Sequence, residues 1–180
     1  MTYRDLPGEV ARLLELLGAP PRLAAHLRLV HDVAWDLTGW LAGAHPEVVF
    51  DRAAVLFGAA THDVGKVVFP EELSVPGVRH EAAGRELLSA RGVPERLARF
   101  AGTHGSWGAA GVGVEDLLVS VADKVWKAKR VEDLELLLTG RIAVASGVAM
   151  WEAFLSLDDC LQELAAGADE RLAFQNGFPV

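Results

Sequence analysis

The chain lacks nearly every mark of a secreted or membrane-spanning protein. Its 180 residues hold one cysteine, Cys160, so no intramolecular disulfide can form and nothing argues for an oxidising compartment. The opening Met1-Thr2-Tyr3-Arg4-Asp5 has no apolar signal region. Long hydrophobic runs are missing too. The longest weakly polar stretch, Ile142 to Leu157, contains Ser146 and Glu152 and is too short to cross a bilayer. It reads as a core helix, and the cytoplasm is the expected location, with no membrane partner. Strand-like alternation, internal repeats and low-complexity tracts are absent. Positive charge is in deficit: the net charge is −8, which argues against general nucleic-acid binding. It leaves anionic substrates open, because bound dications would concentrate positive field at a site.

What is present is apolar and helical. Hydrophobic residues make up 51 % of the chain, at a mean hydropathy of +0.24, distributed as helix stripes. The length suits one domain, residues 1–180, with a sizeable core. The spacing predicts an all-α bundle of about seven or eight helices. A first helix follows Asp5-Leu6-Pro7 and stops at Gly18. A second runs from Pro20-Pro21 to about Ala44, with Leu23, Leu27, Val30, Ala34, Leu37 and Leu41 as one stripe. His31 lies roughly 80° from the centre of that stripe by the 100° per residue rule, at an edge that can face both core and cleft.

The stretch Thr61-His62-Asp63-Val64-Gly65-Lys66 stands out. It ends an uncharged run, Ala53 to Ala60, that reads as a buried helix with Asp51 as N-cap and Gly65 as a left-handed stop. A carboxylate beside an imidazole in such a setting is costly unless compensated, and a metal cation uses both residue types. Val67 to Val78 reads as a loop, and helices are expected from His80 to Gly92 and from Pro94 to about His104. A glycine-rich connection surrounds Trp107. Further helices are expected over Val114 to about Arg130, Glu132 to Leu138 and Val148 to Ala166. On periodicity, Asp123 faces away from the aliphatic stripe of its helix, although Val119, Ala122 and Trp126 carry apolar character toward it. The apolar tail from Phe174 to Val180 is a candidate for packing on the body or on a second copy, as in a homodimer.

The candidate ligands are His31, His62, Asp63, His80, His104 and Asp123. Imidazoles and carboxylates suit one or two divalent ions such as Fe, Mn, Ni, Zn or Mg. Spread over five helical segments, they can converge only inside a bundle. Divalent metal activates water and neutralises phosphoryl oxygens, the two needs of phosphate-ester hydrolysis. The plain alternatives are a helix-start role for His80, a loop role for His104 and solvated positions for Lys66, Lys127 and Arg130. His26 and His45 have no partner in this pattern and read as surface or capping residues. Trp107 reads as packing rather than a lid.

His31, then His62-Asp63, then Asp123, with Thr-His-Asp-Val-Gly-Lys around the pair, resembles the HD-domain superfamily of metal-dependent phosphohydrolases in its HD-x-G-K variant. The resemblance covers about residues 23–130, with C-terminal helices over 132–180. His80 in His-Glu-Ala-Ala-Gly and His104 in Thr-His-Gly resemble the extra ligands of its binuclear branches. The resemblance implies an all-helical fold. It implies one metal on His31, His62, Asp63 and Asp123, and Asp63 bridging to a second on His80 and His104. Asp63 and Lys66 would be catalytic, with Lys66 also on the substrate phosphate. From position alone, Lys127 one turn beyond Asp123 and Arg130 two turns beyond are within reach of a phosphate, and Arg79 beside His80 is placed to face the cleft. The implied reaction is hydrolysis of a small phosphomonoester or nucleotide phosphate. Thr103-His104-Gly105 lacks the second histidine of the cyclic-di-GMP branch, which argues against that substrate. The six ligands also suit the superfamily's di-iron oxygenases, and a metal-bound regulatory or nucleotide-sensing module is the third reading.

Overall fold

The computed structural model describes residues 2–179; Met1 and Val180, the outer ends of the opening segment and of the apolar tail, lie outside it. The described residues form nine α-helices and no strand. They are α1 (Gly8–Leu16), α2 (Pro21–Ala44), α3 (Arg52–Thr61), α4 (Arg79–Ala90), α5 (Glu95–Thr103), α6 (Val114–Val125), α7 (Glu132–Ser146), α8 (Met150–Ala166) and α9 (Ala168–Asn176). Short 3₁₀ turns over Val64–Val67 and Pro70–Leu73 break up the loop expected between Val67 and Val78.

The long α2 is central and packs on α3, α6, α8 and α9. Its stripe from Leu23 to Leu41 is buried, as the period requires. The apolar side chains form two clusters. The larger joins α2, α3 and α6 to α7 and α8; the smaller joins α1 to parts of α2, α3, α4 and α5. Helices α2, α3 and α5 contribute to both clusters, and His26, His62 and His104 stand on or just beyond them.

Several boundaries differ from the sequence expectation, each for a local reason. Asp51 does cap α3, accepting from the Ala54 amide at 3.0 Å. Gly65, however, is not a left-handed stop: the positive-φ glycines are Gly18, Gly92, Gly111 and Gly147. The chain leaves α3 through His62 and Asp63 into the 3₁₀ turn, where Gly65 lies under α4. A Cβ there would sit 2.0 Å from the His80 carbonyl oxygen and 2.6 Å from the Gly84 nitrogen, so the backbones meet only because Gly65 has no side chain. Helix α6 ends at Val125 rather than near Arg130, and Ala128 takes φ 56 in the turn that follows. Helix α7 runs on to Ser146. The expected core helix from Ile142 to Leu157 is in fact two helices, broken at Gly147 with φ 65. The tail is partly helical, and Phe174 packs edge-on against Tyr3 at 4.9 Å, on the body of the same chain. No helix among the described residues is long and apolar enough to cross a membrane.

Candidate metal centre

Six buried side chains converge, in two groups of three. His26, His62 and Asp123 form one group; Asp63, His80 and His104 form the other. In the first, the Nε2 atoms of His26 and His62 are 3.4 Å apart and His62 Nε2 lies 3.3 Å from Asp123 Oδ1. In the second, Nε2 of His80 is 3.0 Å, and that of His104 3.5 Å, from Asp63 Oδ1, with the two Nε2 atoms 3.4 Å apart. The other Asp63 oxygen, Oδ2, faces the first group at 3.2 Å from His26 Nε2. One carboxylate thus offers an oxygen to each group, and the two groups are continuous through it.

Local structure explains why each imidazole points inward. His62 and His104 follow the last residues of α3 and α5, where helix carbonyls lack amide partners. Each ring turns its Nδ1–H back to one of these: His62 to Ala59 O at 3.0 Å, His104 to Ala101 O at 3.0 Å. His80 opens α4, and its Nδ1–H donates to the Glu72 carboxylate at 2.6 Å. Glu72 is itself fixed by the Arg79 and His80 amides. His26 directs Nδ1 to Gln175 Oε1 at 3.2 Å. With every Nδ1 facing an acceptor, each Nε2 is the ring nitrogen available to offer a lone pair to an ion at the centre.

This donor set fits metal. Two unprotonated nitrogens facing one another at 3.4 Å repel unless a cation stands between them. Two nitrogens at about 2.1 Å from one tetrahedral ion would themselves be about 3.4 Å apart. Both histidine pairs have that spacing. Burial alone would raise the pKa of Asp63, yet the surrounding imidazoles of His62, His104, His26 and His80 hold it well below the usual carboxylate range. Burial likewise opposes ionisation of Asp123, but His62 and Lys124 keep its pKa low. Both candidate ligands are therefore held in their charged form. At His80, burial is outweighed by Asp63 and Glu72, and the net shift is upward.

The sequence expectation is corrected at one ligand. His31 is not in either group; His26 is. Five residues along a helix turn about 140°, so the two rings leave α2 in different directions. His31 points toward Trp35, its Nδ1 buried without a hydrogen-bond partner. His26, read from sequence as a surface or capping residue, is buried with its ring edge-on to Trp126 at 4.9 Å. His45 does cap α2, held by Ser156 and Ser146. His62, Asp63, His80, His104 and Asp123 come together as expected, and Asp123 is buried despite its polar-face position.

Of the four cations expected to face substrate, two are near and two are not. Lys66 bonds Asp63 Oδ2 at 2.5 Å. Lys66 and Lys127 line a cavity of about 120 Å³ with Arg22, His26, Trp126 and Gln175. Desolvation there lowers the pKa of Lys127 against the pull of Asp123. Arg79 instead lies over the Phe69 ring and pairs with Glu71 at 3.1 Å. Arg130 is turned away by the left-handed Ala128 and pairs with Glu135 and Asp158, each at 2.7 Å. Asp116 holds Arg99, Thr103 and the Gly113 amide, tying the end of α5 to the start of α6. The sequence reading missed Arg22, Lys124, Glu72 and Gln175. Lys124 bonds Asp123 at 2.5 Å and lies 5.7 Å from the Trp107 ring centre.

The HD-domain family model matches residues 9–126, which contain all six converging residues. The chain belongs to the HD-domain family. That family is part of the superfamily of metal-dependent phosphohydrolases, and its all-helical fold agrees with the nine helices here. The match ends at the last turn of α6, so α7, α8 and α9 lie beyond the part that defines the family. No curated protein and no solved structure matches the chain significantly.

Proposed function

We propose that this HD-domain protein hydrolyses a small phosphomonoester or nucleotide phosphate at a centre of two divalent ions. His26, His62 and Asp123 would hold one ion, and His80 and His104 the other, with Asp63 bridging. Bound divalent ions lower the pKa of water and neutralise phosphoryl oxygens. The observation that carries the reading is the placement of cations beside those ligands. In a chain of net charge −8, Arg22, Lys66 and Lys127 line a small cavity that His26 also lines.

The chain's own groups have separate tasks. Lys66, Lys127 and Arg22 bind the phosphate and orient it at the mouth, as planar or point-charge donors to its oxygens. Asp63 stays ionised and fixes the two groups relative to one another. Glu72 holds the His80 ring, so its Nε2 keeps one direction. Trp126, packed on His26, narrows the approach and excludes water from that side. The donor set also suits a di-iron oxygenase; the cations at the entrance favour an anionic substrate, for which a phosphate ester is the reading proposed here.

The test is a panel of phosphomonoesters and nucleotides with metal-loaded protein, wild type beside Asp63→Ala, with metal content measured on both. We expect hydrolysis of at least one ester by wild type. In the variant the rate should fall about a hundredfold or more, since even groups that only support ligands are worth about 10–100-fold. Hydrolysis that persists in Asp63→Ala at unchanged metal content would overturn the proposal. Oxygen consumption by the iron-loaded protein with no ester turnover would move the assignment to the oxygenase reading.

A further inference from the structure

The four histidines of the centre are not oriented in the same way. His62 and His104 follow helix ends and use free carbonyls of their own last turns. His26 has no such carbonyl. It sits in the second turn of α2, where the preceding carbonyls already accept backbone amides. Its ring needs an acceptor from elsewhere, and the acceptor comes from α9, about 150 residues away in sequence.

We infer that Gln175 is a positioning residue for the metal centre. Its Oε1 accepts the Nδ1–H of His26 and thereby fixes the tautomer and direction in which Nε2 meets the ion. This rests on the metal reading above and extends it to a helix outside the family-matched residues 9–126. Helix α9 is anchored so that the contact has a fixed place. Arg171, buried, donates to the Trp126 carbonyl at 2.6 Å and to that of Leu164. Arg22 bonds Asn176 Oδ1 at 2.5 Å, and its amide donates to Pro179 O at 3.1 Å. Trp126 closes the loop, because its ring lies on His26 while its carbonyl holds Arg171. The C-terminal helix therefore reaches the centre at one atom, and Gln175 also lines the mouth beside Lys66 and Lys127. Groups that orient ligating histidines in this way typically change metal affinity by about 10–100-fold.

The experiment is zinc titration against a competing chelator, on metal-free protein without substrate, for wild type, Gln175→Met, Gln175→Glu and Asn176→Ala. Gln175→Met keeps the bulk and removes the acceptor. It should weaken one of two zinc sites by about 10–100-fold and leave the other unchanged. Gln175→Glu, which keeps an acceptor, should bind at least as tightly as wild type. Asn176→Ala removes one anchor of α9 and leaves the Gln175 acceptor in place, so it should weaken the same site by less than Gln175→Met does. Nitrogen-15 spectra of the metal-free wild type should show the His26 proton on Nδ1. Wild-type affinity at both sites in Gln175→Met, or a loss in Asn176→Ala as large as or larger than in Gln175→Met, would overturn the role of Gln175 while leaving the metal reading intact. A His26 proton on Nε2 would also overturn it, and that result is available even if Gln175→Met fails to fold. A wild type that binds no zinc or other divalent ion would instead overturn the metal reading itself.

Discussion

At the scale of single residues, His26 and His31 show how one helix separates two similar side chains. Both stand on α2, five residues apart, and both are buried. One joins the cluster of ligands; the other meets Trp35 and keeps an unpartnered Nδ1. The stripe of α2 held a clue. By the 100° rule His26 is about 60° from its centre on one side, and His31 about 80° on the other. Periodicity places both at an edge, and only the neighbouring helices decide which edge is the site. Burial lowers the pKa of His31 below its ordinary 6.5, against a partial pull from Asp32. The unfolded chain therefore takes up that proton first as pH falls. The stability tied to neutral His31 is complete above about pH 6.5 and declines below it, by at most about 1.4 kcal/mol per pH unit. Urea unfolding of wild type and His31→Leu at pH 7.5 and 5.5 checks this. The variant should lose less stability between the two values, and equal losses would contradict the assignment.

At the scale of elements, the contact between the 3₁₀ turn and α4 sets the geometry of the second group of ligands. Asp63 precedes that turn and His80 stands in the first turn of α4; Gly65 lets the two backbones touch. A methyl at Gly65 meets main-chain atoms, which cannot swing aside as a side chain can. Gly65→Ala should destabilise the fold by at least the 1–3 kcal/mol, roughly, of an ordinary overpacked core. It should also push His80 from Asp63. Metal analysis alongside thermal unfolding tests both parts: occupancy should drop toward one equivalent while the group containing His26 is retained. Two full equivalents with an unchanged unfolding temperature would refute the close approach. The sequence marked Gly65 as special for the wrong reason. Glycine signals either positive φ or close approach, and a single chain does not say which. The misplaced end of α6 has a similar origin. Lys127 and Arg130 continue the helical pattern in sequence, but Ala128 adopts φ 56 and sends Arg130 to Glu135 and Asp158.

At the scale of the whole molecule, the six candidate ligands come from five helical segments, α2 to α6, across residues 26–123. An ion that binds only when these have assembled stabilises the folded chain by mass action, by about 2.7 kcal/mol at a hundred times its Kd. For a chain of this size that corresponds to a rise of roughly 5–10 °C in Tm. Calorimetry with and without a strong chelator should show a Tm lower by about that amount after metal removal, restored when the ion is returned. A Tm indifferent to metal would count against ligation by residues from separate helices.

The sequence by itself determined the helical class, the capped and buried α3, the His62-Asp63 pair, three further members of the cluster (His80, His104 and Asp123) and the family to which the chain belongs. Those follow from local rules: apolar spacing, capping chemistry, and the ligand preferences of imidazole and carboxylate. The tertiary structure decided which α2 histidine faces the centre, which cations reach its mouth, and that Glu72 and Gln175 hold the rings of His80 and His26. The physical reason is that these depend on how helices far apart in sequence are rotated against one another. Gln175 is the extreme case, 149 positions from the histidine it holds. No periodicity within α9 carries that information, because the contact exists only once Arg171, Asn176 and Phe174 have docked the helix on α2 and its surroundings.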